Sequence, residues 1–342
     1  MITYQEEPKA KLSLRPAYFH IIPLLLLILA PAGLSAQQMP LYSQYIQNGF
    51  LVNPSMAGED GYTSFNTTVR QQWLGFTDAP QTYSASWQTR LLRRSYRIVN
   101  HPVRRSNMLM PSTKGRVGLG AYIINDVNGN VARTGISFTY AYHIIMNNRQ
   151  LSFGLAPKFF QYRLYDQNLS LGDARDPVFS GNFHSVAYCP DADFGVHFRG
   201  YDYFVGFAVS NLLQTAVVLG SGDQPDFKSF RHYWLMGGYK FALTNEFFME
   251  PGLLLKTSEN WNPQGDLSLK FYYEDQFWAG LSYRTNGSLI AMFGVRIEGL
   301  YLGYSFDYTL SKIGSYSFGS HEITMSVKLG SNARRYKWLN RY

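Results

Sequence analysis

The stretch GLYLGYSFDYTL, residues 299–310, followed after a short loop by HEITMSVKL, residues 321–329, decides the fold. In steps of two, Leu302, Tyr304, Phe306, Tyr308 and Leu310 fall on one face, and Gly303, Ser305, Asp307 and Thr309 on the other. Ile323, Met325, Val327 and Leu329 alternate in the same way with Glu322, Thr324, Ser326 and Lys328. A period of two sustained over about ten residues calls for strands, and strands of soluble sandwiches are shorter, usually about five or six residues. Ten residues rise about 33 Å and, tilted by about 45°, span roughly 23 Å, close to the height of the apolar band of a membrane barrel. The pair therefore predicts an all-β chain that crosses an outer membrane as a barrel.

The rest of the chain can be tested against that expectation. Aromatic residues make up 16% of the 342, with 26 Tyr and 24 Phe, while charged residues are only 16%, well below the usual quarter. Beyond the N-terminus no apolar run approaches the roughly 20 residues of a spanning helix. Strand patterns recur from about 61–71 and up to about 92, then at 115–125, 134–146, 149–162, 190–199, 201–210, 232–243, 246–257, 264–273, 275–285, 287–297, 299–309 and 319–329. That makes about 14 antiparallel strands, an even number as bacterial single-chain barrels require. Counted from a periplasmic start, the connections after even strands are short: Asn147-Asn148, Gly200, Thr244-Asn245, Glu274-Asp275 and Glu298. Those after odd strands are longer and expected outside: 72–79, 126–133, 163–189, 211–231, 257–263 and 310–318, with only Asn286-Gly287 tight. Glu250, Lys256, Asp266, Lys270, Arg284, Arg296, Asp307, Glu322 and Lys328 stand opposite the apolar stripes, so they are expected to point into the lumen as a mixed-sign network.

Residues 1–36 read as a secretory signal: Lys9, Lys11 and Arg15 precede an apolar run from Ile21 to Leu34, with Leu34-Ser35-Ala36 as the expected cut before Gln37. The organisation expected is a signal at 1–36, a periplasmic N-terminal segment at 37–60, the barrel at 61–329 and a basic periplasmic tail at 330–342. The formal charge of +8 does not suggest nucleic acid, because the chain is exported and its strands present rings where lipid would sit. Two basic segments carry much of the surplus. One runs from Arg90 to Arg116 and includes Arg93, Arg94, Arg97, Arg104 and Arg105, without an acid between Asp78 and Asp126. The other is the tail with Arg334, Arg335, Lys337 and Arg341. Both emerge on the periplasmic side by parity. They read either as solvated segments resting on lipid headgroups or as a docking face for an acidic periplasmic partner.

Catalytic and metal signatures are weak. His321-Glu322 opens like a zinc motif, but Met325 occupies the second ligand position. Gly118 and Gly120 lack the third glycine and the following helix of a nucleotide loop, and read as close strand packing. Cys189 is the only cysteine, so no internal disulfide forms, and it has no metal-ligand spacing. His184 and His232, with Asp173, Asp176, Asp191, Asp193 and Asp226, fall in or near the expected external loops, where a hydrolase or calcium site could assemble. No cofactor is expected.

Between these features lies a set of residues with a recognisable pattern. Ser43-Gln44-Tyr45, Asn53-Pro54 with Ala57-Gly58, and Arg70-Gln71-Gln72-Trp73-Leu74-Gly75-Phe76 with Ala79-Pro80-Gln81-Thr82 resemble the opening of the PorP/SprF family. Arg133-Thr134-Gly135, Asp176-Pro177-Val178-Phe179 and Gly303-Tyr304-Ser305-Phe306-Asp307-Tyr308 extend the likeness over roughly 38–329. The resemblance implies an outer-membrane barrel of the type IX secretion system of Bacteroidota, some members serving gliding motility. Implied partners are outer-membrane lipid, periplasmic secretion components, and secreted proteins with a C-terminal sorting domain, including adhesins. Asn53, Pro54, Gly58, Arg70, Gln71, Gln72, Trp73, Gly75 and Phe76 are the motif and partner-binding candidates. The basic 93–114 segment and the tail depart from the family pattern and leave open a core secretion component or a dedicated partner of one adhesin. A solute porin or ligand-gated channel and an outer-membrane hydrolase are the alternatives. The turn chemistry of 39–58 suggests a segment packed under or into the barrel, with Trp73 and Phe76 as an anchor in the first external loop or as interface-belt aromatics.

Overall fold

The computed structural model describes residues 42–91, 94–97, 110–113, 116–146, 149–165, 185–217 and 227–329. The expected signal at 1–36 and tail at 330–342 lie outside them. Fourteen strands form one closed antiparallel barrel. They are β1 Thr63–Gln71, β2 Gln81–Leu91, β3 Val117–Asn128, β4 Val131–Met146, β5 Arg149–Leu164, β6 Val186–Arg199 and β7 Tyr203–Ser210. The remainder are β8 His232–Tyr239, β9 Phe247–Ser258, β10 Gln264–Tyr273, β11 Phe277–Arg284, β12 Ser288–Ile297, β13 Leu300–Thr309 and β14 Ser320–Leu329. Each strand pairs with the next, and β14 pairs with β1 from Thr63 opposite Leu329 to Gln71 opposite His321, which closes the ring. No described helix is long and apolar enough to cross a membrane.

The alternation read from the sequence is the alternation of burial. On β1, Ser64, Asn66, Thr68 and Arg70 are buried while Phe65 and Val69 are exposed. On β4, Ser137, Thr139 and His143 are buried while Phe138 and Tyr140 are more than half exposed. The wall is thus inverted relative to a soluble protein, apolar outside and polar inside, as a barrel in lipid demands. Of the charged residues expected in the lumen, Glu250, Lys256, Asp266, Lys270, Arg284, Asp307 and Glu322 are buried there.

One end of the barrel, where β1 begins and β14 stops, is called the near end; the opposite end is the far end. The connection between β3 and β4 is corrected by the structure. Both strands run on to a two-residue turn at Gly129-Asn130 instead of the expected loop over 126–133. β6 likewise begins at Val186, four residues earlier than read, so Asp191 and Asp193 belong to a strand. The long near-end connection 92–116 carries a short ladder of Arg94–Arg97 with Met110–Thr113. Arg93, Arg104 and Arg105 lie outside the described residues. A second short ladder, Ala216–Val217 with Phe227–Lys228, sits in a far-end connection.

Candidate functional site

The lumen is occupied by the chain itself. Residues 42–60, expected as a segment ahead of the barrel, lie inside it as a plug. Its direction follows from its partners. Ser43 and Gln44 bond Glu322, near the far end of β14. Tyr45 meets Ser268 at mid-height of β10, and Asn53 reaches β6 and β7. Glu59 lies against His197 and Arg199 at the near end of β6, and Asp60 against Lys328 near the close of β14. The chain therefore descends the lumen from far to near, turns, and climbs back as β1.

Local chemistry shapes the plug. Asn53 is fully buried and caps the single 3-10 turn Pro54–Met56: its Oδ1 accepts from Ser55 N at 3.1 Å and Ser55 Oγ at 2.6 Å. Its Nδ2 donates to the carbonyls of Val196 and Phe207 at 3.1 and 3.3 Å, so one side chain ties the turn to two strands. Pro54 fits the first position of that turn because it needs no N–H there. Gly58 sits at φ +65°, donates its N–H to Gln88 Oε1 at 3.1 Å, and leaves no room for a Cβ beside Thr89. Apolar plug side chains fill gaps in the polar wall. Tyr45, Ile46 and Val52 pack with Phe204, Trp234, Met236 and Leu254, and Phe50 and Ala57 with Tyr122 and Ala141. Each such burial contributes about 1.5–3 kcal/mol for a large side chain.

The wall makes space for the plug with inward-facing glycines. A Cβ on Gly118 would overlap the Ala57 carbonyl oxygen, one on Gly154 the backbone of Pro54 and Ser55, one on Gly195 the Asn53 amide, and one on Gly303 the Gln44 amide. On Gly120 it would lie 2.5 Å from the Phe50 ring.

The far half of the plug is held by a buried charged node. Arg70 and Glu322 face each other across the β1–β14 seam. Arg70 Nη1 donates to Glu322 Oε2 at 3.0 Å and Ser43 Oγ at 2.7 Å, and Nη2 to Asp307 Oδ2 at 2.6 Å. Arg284 holds Asp266 through two nitrogens and lies 3.6 Å from Asp307. Two guanidiniums thus face three carboxylates. The remaining compensation comes from plug donors: Ser43 N and Gln44 N donate to the two Glu322 oxygens at 2.8 and 3.0 Å, and Ser43 Oγ donates to Asp307. Charge-assisted bonds of this kind are the strong ones.

At the near end, burial alone would raise the Glu59 carboxyl pKa, but the His197 ring at 3.1 Å and Arg199 at 3.3 Å outweigh it and hold it well below its ordinary 4.5. A lowered folded pKa contributes stability that is complete above the ordinary value and drains away as pH falls below it. Protease resistance of 42–60 in detergent is therefore expected to be flat from neutral pH down to about 5 and to fall on further acidification. Glu59→Gln should lower the resistance at neutral pH and flatten that acid limb; an unchanged acid profile in the variant would remove Glu59 as the anchor.

Beside the plug at the near end, a cavity of about 1000 Å³ is lined by Tyr62, Asp275, Arg296, Tyr301 and Lys328. Deeper, between Gln44, Gln47, Trp278 and Gly303, the space shrinks to about 40 Å³, enough for water but not for a chain or solute.

The motif residues divide between two places. Asn53, Pro54, Gly58 and Arg70 are internal, in the plug and its node. Gln71, Gln72, Trp73, Gly75 and Phe76 form the far-end rim. There Trp73 adopts φ +46°, and its N–H donates to Ser320 Oγ. The Leu74 backbone pairs with Phe318 and Gly319, knitting the first far-end loop to the loop before β14; Phe76 stays exposed. The basic candidates Arg94 and Arg97 lie on the near-end ladder, away from both. Of the residues considered for hydrolysis, His232, Asp191 and Asp193 are buried inside the barrel and not in loops; His184, Asp173, Asp176 and Asp226 lie outside the described residues. Among the described residues no group of His, Cys, Asp and Glu is placed to hold a metal. The inward glycines and the Glu59 anchor were missed from sequence; glycine recurring at polar-face positions, as at Gly118 and Gly120, was the signal available.

The family model described as type IX secretion system membrane protein PorP/SprF matches residues 34–327. Among curated proteins there is no match. Solved structures similar to the chain include the outer membrane protein Omp33 of Acinetobacter baumannii, 6% identical over 79% of this chain and 100% of that one, with a TM-score of 0.42. A FadL homologue of Pseudomonas aeruginosa is 8% identical over 78% and 88% of the two chains, with a TM-score of 0.37. A mutant porin of Rh. blastica is 9% identical over 78% and 99%, with a TM-score of 0.31.

Proposed function

The chain belongs to the PorP/SprF family of type IX secretion system membrane proteins, and on that premise we propose that it is a plugged outer-membrane barrel that supports secretion or surface attachment of sorting-domain proteins, adhesins included, by binding partners. The observation that carries the reading is the lumen: a plug seated on glycines and bonded at both ends leaves about 40 Å³ at the constriction. A barrel filled by its own chain serves as a docking body and not as a solute path. The near end, with its short turns and the basic 92–116 connection, faces the periplasm and the secretion components there. The far end, with the knitted rim around Trp73, Phe76 and Phe318, faces outward, where secreted proteins and adhesins of gliding cells would be met.

The test is a pull-down of the tagged protein from outer membranes in mild detergent, with identification of what co-purifies, next to planar-bilayer recording of the pure protein. Recovery of sorting-domain proteins or periplasmic secretion components with silent bilayers is the expected result. Recovery of the barrel alone, together with steady partner-independent conductance, would replace the proposal with a solute channel.

A further inference from the structure

The direction of the plug has a topological consequence. A chain entering a barrel from the periplasm would most simply reach β1 from below, leaving its N-terminus there. Here the connection runs the other way: Tyr42 to Gln44 lie in the far half of the lumen and Glu59 and Asp60 at the near end. We infer that the processed N-terminus is threaded through the barrel and delivered to the far mouth, the face on which secreted proteins are met, and not to the periplasm. The inference rests on the orientation proposed above only for the word outward; the threading itself rests on the plug.

Two physical arguments exclude a return to the near end. With cleavage after Ala36, residues 37–41 are all that precede Tyr42, and five residues reach at most about 18 Å when fully extended. The route back also passes the constriction of about 40 Å³ between Gln44, Gln47, Trp278 and Gly303, far too small for a second pass of backbone. The plug cannot slide to relieve this, because Ser43 and Gln44 are fixed on Glu322 at one end and Glu59 on His197 and Arg199 at the other. The arm therefore shares a face with the Trp73–Phe76 rim. A partner that grips the N-terminus of this chain is an extracellular or outward-passing one, and the periplasmic components are left with the near-end turns and the basic 92–116 connection.

The experiment places single cysteines in a Cys189→Ala background and labels intact and permeabilised cells with a membrane-impermeant maleimide. Thr77→Cys marks the far end, Tyr201→Cys the near end, and Met39→Cys the arm. Met39→Cys labelled on intact cells as completely as Thr77→Cys, with Tyr201→Cys labelled only after permeabilisation, is the expected result. Met39→Cys behaving like Tyr201→Cys overturns the threading. If Thr77→Cys and Tyr201→Cys exchange behaviour, the proposed orientation fails while the threading is still judged by which marker Met39→Cys follows. Should Met39→Cys resist the reagent in both preparations, an epitope inserted between Met39 and Pro40 decides: antibody binding with the Thr77 marker supports threading, and binding with the Tyr201 marker overturns it.

Discussion

Arg70→Met is expected to weaken the barrel at its seam by about 3–5 kcal/mol, the cost of stripping one partner from a buried ion pair. Arg70 is the only guanidinium that reaches Asp307 and Glu322 together, at 2.6 and 3.0 Å, and both acids are buried. Removing it leaves Arg284, already committed to Asp266, to serve three carboxylates. At about 1.4 kcal/mol per tenfold, the folded population relative to unfolded should fall by a hundredfold or more. Loss of the compact form seen in unheated SDS gels should accordingly occur at much lower temperature or denaturant concentration. A double variant, Arg70→Met with Glu322→Gln, separates the causes. If the penalty is the surplus buried charge, the double variant recovers part of the loss of the single one. If Arg70→Met costs less than about 1 kcal/mol, the node carries no more than a surface pair, and it does not lock the first strand to the last.

The node also shows what could and could not be read from the residues alone. The wall was legible because alternation is a local property: Leu302 to Leu310 and Ile323 to Leu329 declare their faces without knowledge of any neighbour. Asp307, Glu322 and Arg284 could be assigned to the lumen on the same ground. Their pairing with Arg70 across the seam depends on strand register, which a period of two cannot supply. The far end was misread where inward polar residues imitate a loop. Asp191 and Asp193, spaced by two on a strand that faces a polar lumen, look like loop acids until the lumen is known. Residues 42–60 have no period at all; their Asn-Pro and Gly turn chemistry signals order but not location. Their place is recorded in the wall instead, in glycines that recur on inward faces of β3, β5 and β6.

Those glycines carry the second large effect. Gly118→Val and Gly154→Val are each expected to unseat the lower half of the plug while leaving the wall closed. At both positions the new Cβ meets backbone, the Ala57 carbonyl in one case and the Pro54–Ser55 peptide in the other, so no side-chain rotation relieves the clash. Overpacking of this kind costs about 1–3 kcal/mol where neighbours can shift, and more where they cannot. The plug has the option of leaving, whereas the strands, paired on both sides and covered by lipid, do not. Wild-type protein should be silent in planar bilayers. Both variants should conduct, and both should expose 42–60 to protease, with retention of the compact gel form. Gly237→Ala serves as the control, because its Cβ would lie 3.4 Å from the nearest atom, the carbonyl oxygen of Phe204, with no plug atom against it. The comparison with Arg70→Met is informative in itself: one class should open the lumen of a stable barrel, the other should destabilise a barrel whose lumen is still filled. Silent glycine variants with wild-type protease resistance would mean that the wall yields and the plug does not, and the glycines would then reflect strand packing and not a seat. Conductance from wild-type protein equal to that of the variants would mean that the plug does not close the lumen, and the docking-body reading would give way to a channel.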